Sequence, residues 1–117
     1  MQIALPTSHL HELSQLLSGL FDAEIIPCEN GVLVQGEQCF FLTFQKNVNA
    51  NYNDFQYSFF SEEEFASFFN KVNFLRYRQN LDPIVPTKTD LEHSFAVTDP
   101  DGRLWQFAYG RQNKSRM

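Results

Sequence analysis

The sequence predicts an α+β fold made of two similar modules, and three observations carry that reading. The order strand, helix, then two or three strands runs over residues 1–45 and again over 54–111 of a 117-residue chain. A repeat of this size points to two packed half-modules rather than one irregular sheet. Each half carries one apolar stripe at helical spacing: Leu10, Leu13, Leu16, Leu17 and Leu20 in the first, Phe65, Phe68, Phe69 and Val72 in the second. The third observation is the run Asp99-Pro100-Asp101-Gly102-Arg103 ahead of Leu104-Trp105-Gln106-Phe107-Ala108-Tyr109. Asp99 is placed to accept backbone N–H groups ahead of it, Pro100 presets φ, and Gly102 tolerates positive φ, so a hairpin of three to five residues is expected.

The elements follow in order. Gln2 to Pro6 reads as a strand, ending where Pro6 has no N–H to give a ladder. Thr7 or Ser8 caps the leucine-striped helix. Glu24 to Pro27 and Gly31 to Gln35 are strands around a turn at Glu29-Asn30-Gly31, and Gln38 to Gln45 alternates with period two. Lys46 to Asn53 is an Asn-rich polar linker. In the second half, Phe55 to Phe60 is a strand, Ser61 caps a helix with Glu64 completing a capping box, and Phe60 with Phe65 forms a hydrophobic staple. Glu62, Glu63 and Glu64 lie where the helix dipole favours negative charge, so they need no catalytic explanation. Pro83 to Pro86 and His93 to Thr98 supply further strands before the hairpin.

Composition limits the function classes. With 43% hydrophobic and 15% aromatic residues the chain can bury a sizeable core. Apolar runs are only a few residues long, and no basic segment leads into an apolar one at the N-terminus. Neither a transmembrane helix nor a signal peptide is therefore expected, and a cytoplasmic protein is the default. Cys28 and Cys39 lack CxxC spacing and are expected to be small buried hydrophobes, not a disulfide. Up to Gln45 there is no Lys or Arg, while Glu12, Asp22, Glu24, Glu29 and Glu37 are all acidic. That half would repel a phosphate backbone, so nucleic acid is disfavoured and a cationic or neutral partner favoured. The terminal bases Arg111, Lys114 and Arg116 read as a frayed tail.

Nearly the whole chain resembles the vicinal oxygen chelate superfamily, which includes glyoxalases, ring-cleaving dioxygenases, fosfomycin resistance enzymes and bleomycin-binding proteins. The resemblance is carried most specifically by Gln2-Ile3-Ala4-Leu5-Pro6 and by Asp99-Pro100-Asp101-Gly102-Arg103-Leu104-Trp105-Gln106-Phe107. It implies one domain over 1–117, with βαβββ half-modules 1–45 and 54–111 joined by linker 46–53. Their curved mixed sheets would form an open cup, with the helices packed outside. With the more apolar strand face set against the helices, the cup receives Gln2, Ala4, Cys39, Phe41, Thr43, Gln56, Ser58, Leu104 and Gln106, joined by Ser94, Ala96 and Thr98. The resemblance also implies a homodimer.

Metal-dependent members of the superfamily place His, Glu or occasionally Gln at one inward position on each of the first, fourth, fifth and eighth strands. Those positions map to Gln2, Phe41, Gln56 and Gln106. Three amides and a phenyl ring supply neither carboxylate nor imidazole, so no metal or other cofactor is expected and no catalytic residue is assigned. A one-residue register slip brings in Ile3, Phe40 or Leu42, Phe55 or Tyr57, and Trp105 or Phe107, which ligate nothing. His9 and His11 lie two apart on a helix and point to different sides. His93 is held in reserve for the cup mouth.

The expected function is metal-independent binding of a small molecule, cationic or aromatic, by Gln2, Phe41, Thr43, Gln56, Ser58, Phe60, Ser94, Leu104 and Gln106, with Tyr52 as further aromatic surface. The bound compound would be a drug or metabolite held in sequestration. A metal-dependent lyase or dioxygenase of the same superfamily, and an interaction module with no ligand, are the alternatives.

Overall fold

A computed structural model describes residues 2–49, 54–88 and 92–110. Tyr52, most of the tail with Arg111, Lys114 and Arg116, and the end of the linker lie outside the described residues. Ten elements run along the chain: β1 (Gln2–Thr7), α1 (Leu10–Phe21), β2 (Glu24–Cys28), β3 (Gly31–Gln35), β4 (Cys39–Phe44), β5 (Asp54–Ser58), α2 (Glu62–Arg78), β6 (Thr87–Lys88), β7 (Glu92–Thr98) and β8 (Leu104–Gly110). They form two four-stranded sheets of the same plan, ordered β1-β4-β3-β2 and β5-β8-β7-β6. In each, the first strand of the module lies parallel to the last, Gln2 opposite Cys39 and Gln56 opposite Gln106. The fold is therefore α+β with two strand–helix–strand modules, as the repeat implies.

Two compact units result, and their boundary does not follow the linker alone. One comprises the first module together with Thr98–Arg103; the other comprises Asp54–Val97 and the strand that begins at Leu104.

In the first unit α1 packs on β2, β3 and β4. Its stripe residues Leu13, Leu17 and Leu20 are buried against Leu5, Val34, Phe40 and Leu42, while Leu10 and Leu16 are half-buried. Pro6 does not end β1, which continues to Thr7; as an edge strand it can place a proline where no N–H is required of it. The same argument admits Pro27 inside β2, the opposite edge. Gly31 is required where it stands, because a Cβ there would lie 2.1 Å from the Leu42 carbonyl oxygen.

The start of α1 departs from the sequence reading. His9 is the N-cap and makes no side-chain capping bond. The Thr7 hydroxyl accepts from the His9 N–H at 2.9 Å, and the Ser8 hydroxyl accepts from the Val48 N–H at 2.6 Å. Both hydroxyls are thus used one or two residues too early to cap the helix. His9 and His11 are exposed.

In the second unit the core is aromatic. Phe65, Phe68 and Val72 of α2 are buried against Phe95, Val97, Trp105 and Phe107, with Phe69 half-buried. Phe55 stacks on Trp105 at 4.4 Å between ring centroids, and Phe68 meets Phe107 at 4.7 Å. Ser61 caps α2 as expected, its hydroxyl accepting the Glu64 N–H at 3.1 Å. The staple, however, is made by Phe59: its ring meets Phe65 at 5.8 Å and Phe68 at 5.3 Å, whereas Phe60 is 97% exposed. Alternation continues past Ser58, with the Phe59 N–H donating to the Ala108 carbonyl at 2.9 Å, so Phe59 falls on the side of Phe55 and Tyr57 while Phe60 is left in solvent.

Pro83 to Pro86 is not a strand. Two prolines leave it few donors, and the Asn73 carboxamide takes both polar groups of Ile84, accepting its N–H at 2.7 Å and donating to its carbonyl at 3.2 Å. The strand next to β7 is instead the short Thr87–Lys88.

Candidate small-molecule site

In each sheet the strand pleat separates a face covered by a helix from an uncovered one. In β1 and β4 the covered side takes Leu5, Thr7, Phe40 and Leu42, all buried. The other side takes Gln2 and Ala4, exposed, with Cys39, Phe41 and Thr43 half-buried. Ala4 lies opposite Phe41 and Pro6 opposite Thr43, so Gln2 sits one pleat away from the Phe41 ring on the same face.

The second sheet is divided the same way. Phe95, Val97, Trp105 and Phe107 are buried beneath α2. Gln56 and Ser58 are exposed, and Leu104, Gln106 and Ser94 half-buried, on the other side. Gln56 and Gln106 are register partners, which sets their Cα atoms about 4.8 Å apart and their side chains on the same face. Ala96 and Thr98, also on that side of β7, are exposed.

Phe60 lies beyond the end of β5 and is 97% exposed. Two sequence expectations are corrected. His93 turns toward the helix, its ring 6.0 Å from Phe65, because it shares the strand side of Phe95 and Val97. The cysteines are free but not buried: Cys28 is exposed at the end of edge strand β2 and Cys39 half-buried at the start of β4.

The sequence reading passed over two groups. Asp54, the first residue of β5, stands two positions before Gln56 and opposite Leu104, hence on the same face as the amide pair. Its period-two spacing from Gln56 was the available signal. The second is a buried ionic cluster at the hairpin. Asp99 Oδ1 accepts the N–H groups of Asp101 and Arg103 at 2.9 and 3.0 Å, and Gly102, at φ 94°, donates to the Asp99 carbonyl at 3.0 Å. That much is the expected turn.

Beyond it, Arg103 is 1% exposed, its Nη1 3.2 Å from Asp99 Oδ2 and 3.1 Å from Asp101 Oδ2. Its Nη2 donates to the Pro6 carbonyl, the Thr7 hydroxyl donates to Asp101 Oδ2, and Asp101 Oδ1 accepts the Ser8 N–H at 3.0 Å. The Arg103 Nε–H is buried and has no partner among the described residues. These bonds tie the hairpin to Pro6, Thr7 and Ser8 and so position the end of β1.

Comparison with solved structures decides the fold. A fosfomycin resistance protein from Mesorhizobium loti aligns over 100% of this chain and 96% of its own with a TM-score of 0.71 at 14% identity. A bleomycin-binding protein complexed with bleomycin aligns over 95% and 98% with a TM-score of 0.67 at 14% identity. The chain has the vicinal oxygen chelate fold. A glyoxalase/bleomycin resistance protein/dioxygenase from Alicyclobacillus acidocaldarius shares that fold over 100% of this chain and 95% of its own, with a TM-score of 0.67 at 12% identity. No protein-family model and no curated protein matches the sequence.

The vicinal oxygen chelate fold implies a divalent metal in its enzymatic members, and the residues here do not suit one. Gln2 and Phe41 on one sheet and Gln56 and Gln106 on the other offer three neutral amide oxygens and a phenyl ring, with no anionic ligand and no imidazole to hold a divalent cation. Among the described residues no three His, Cys, Asp or Glu side chains group closely enough to hold a metal ion. Among the same residues no helix is long and apolar enough to cross a membrane.

Proposed function

We propose that this protein binds a small organic molecule on the uncovered faces of its sheets, without a metal and without transforming what it binds, and so sequesters a drug or metabolite. The single observation that carries the reading is the chemistry of Gln2, Phe41, Gln56 and Gln106. An amide presents one donor group and one acceptor at fixed geometry, and a phenyl ring presents a flat apolar surface, so each face taken by itself carries groups that suit a small organic ligand. None of the four can serve as a general base at neutral pH, and none brings the negative charge or imidazole on which a divalent site depends. Thr43, Ser58, Ser94 and Leu104 supply the flanking hydroxyls and apolar wall. The likeness of fold to a protein that binds bleomycin supports a binding role, and a homodimer is part of the same proposal.

A thermal-shift screen of antibiotics and metabolites tests it, paired with metal analysis of the purified protein. A ligand at a hundred times its Kd adds about 2.7 kcal/mol, which raises Tm by roughly 10 °C in a domain of this size. The expected result is at least one such stabiliser whose effect is lost in Gln56→Ala or Gln106→Ala. Flat responses across the panel, or one equivalent of tightly held divalent metal required for binding, would overturn the reading.

A further inference from the structure

We infer that the second sheet selects a ligand with a planar, cationic N–H-bearing head on an apolar body, an amidinium or guanidinium type of group, and that Asp54 is the residue that reads the charge. The inference rests on the uncovered face being the ligand site and goes beyond it by naming the chemistry.

The paired strands β5 and β8 present six residues on this face: Asp54, Gln56 and Ser58 opposite Leu104, Gln106 and Ala108. Asp54 is the sole charged side chain of the six. Successive same-face residues lie about 6.6 Å apart along a strand and cross-strand partners about 4.8 Å apart, so Asp54, Gln56 and Gln106 form a triangle less than about 9 Å on its longest edge. A carboxylate and two carboxamide oxygens at that spacing are acceptors for one flat head with several N–H donors. A carboxylate takes an amidinium or guanidinium through two parallel bonds, the strong charge-assisted arrangement. Leu104, directly opposite Asp54 and half-buried, supplies apolar surface for the body behind that head.

Charge on the neighbouring strand points the same way. The same side of β7 carries Glu92, Ser94, Ala96 and Thr98 and no base. The charged side chains an anionic head would meet on this face are carboxylates, so the face disfavours it as well as favouring a cation. The platform is rigid: directly beneath it, Phe55 stacks on Trp105, and Phe107 is buried. The strands that carry the three acceptors are thereby anchored to a packed core.

Benzamidinium, benzamide and benzoate share a ring and a planar head and differ in charge, which makes them the probes. Each is titrated into the full chain, with the Gln56 and Gln106 side-chain NH2 signals followed by NMR. Benzamidinium is expected to shift both pairs of signals and benzoate neither. Asp54→Asn, an isosteric change at an exposed site, is expected to weaken benzamidinium about fivefold, the scale of one partly exposed ion pair, and to leave benzamide unchanged. Binding of benzamide or benzoate as tight as that of benzamidinium, or an unchanged benzamidinium affinity in Asp54→Asn, would overturn the charge assignment while keeping the face as a binding site. Silence of the Gln56 and Gln106 signals toward all three probes would remove both.

Discussion

Replacing Arg103 by Met tests the buried hairpin cluster, because methionine keeps much of the arginine stem and discards only the charge and its donors. In the parent chain one guanidinium serves Asp99 at 3.2 Å, Asp101 at 3.1 Å and the Pro6 carbonyl, with Arg103 1% exposed and both acids 4% exposed. Without it two carboxylates stay buried beside each other with no cation. Removing one partner of a buried pair costs about 3–5 kcal/mol, most of it the desolvation of what remains. Against a total stability of about 5–15 kcal/mol for a small domain, this is a large fraction.

Urea unfolding followed by Trp105 fluorescence gives the measurement. With a urea m-value of about 1–3 kcal/mol per M, Arg103→Met should lower the midpoint by at least about 1 M. The physical account makes a second, sharper demand. If the loss arises from uncompensated charge, adding Asp101→Asn to Arg103→Met should recover more than about 1 kcal/mol of it. A single variant within about 1 kcal/mol of the parent, or a double variant weaker than the single, would refute the reasoning. Thr7→Val is the milder control: it removes the bond to an Asp101 carboxylate that keeps its guanidinium and the bond accepted from the His9 N–H, and should cost about 1–3 kcal/mol.

Three further outcomes follow from contacts already described. Phe59→Ala should destabilise by about 2–3 kcal/mol, since its ring packs among Tyr57, Phe65, Phe68 and Phe107, whereas Phe60→Ala should stay within about 0.5 kcal/mol; equal effects in denaturant melts would reverse the staple assignment. Ser61→Ala should cost about 1 kcal/mol by loss of the cap on the Glu64 N–H, and Ser61→Asp should restore most of it in the same melts. Asn73→Ala should cost about 1–3 kcal/mol and raise hydrogen exchange at the Ile84 amide specifically, because both Ile84 backbone groups lose their partner.

The fold was readable in the sequence wherever a period was long enough to accumulate. The leucine stripe of α1, the Phe-Val stripe of α2 and the alternation in β4 and β8 each repeat a simple rule several times, and each element stands where the rule puts it. What failed was local and decided by one competing bond. Thr7 and Ser8 are sound capping residues, yet their hydroxyls are taken by the His9 and Val48 amides. Phe60 and Phe59 are chemically equal, and what settles which one faces the helix is that the β5 ladder runs on to the Phe59 N–H, keeping Phe59 in step with Phe55 and Tyr57. Pro83 to Pro86 has strand-like Ile84 and Val85, but the Asn73 side chain captures the backbone groups a neighbouring strand would need.

The candidate face was legible for the same reason as the strands, since alternation assigns sides. Asp54 was missed because it lies at the rim of a strand, where composition gives no reason to look. Burial of Arg103 was illegible for a different reason. A turn motif specifies its own amides and says nothing of a carbonyl 97 positions away.

That separation also orders events during synthesis. The carbonyl of Pro6 and the hydroxyl of Thr7 leave the ribosome early, but the guanidinium and carboxylate that receive them come 97 and 94 residues later. The leucine-rich half can collapse as soon as β4 has emerged, yet the end of its first strand keeps a temporary water shell until the hairpin arrives. The nascent chain thus cannot close this cluster until the hairpin, and Arg103 with it, is free to fold.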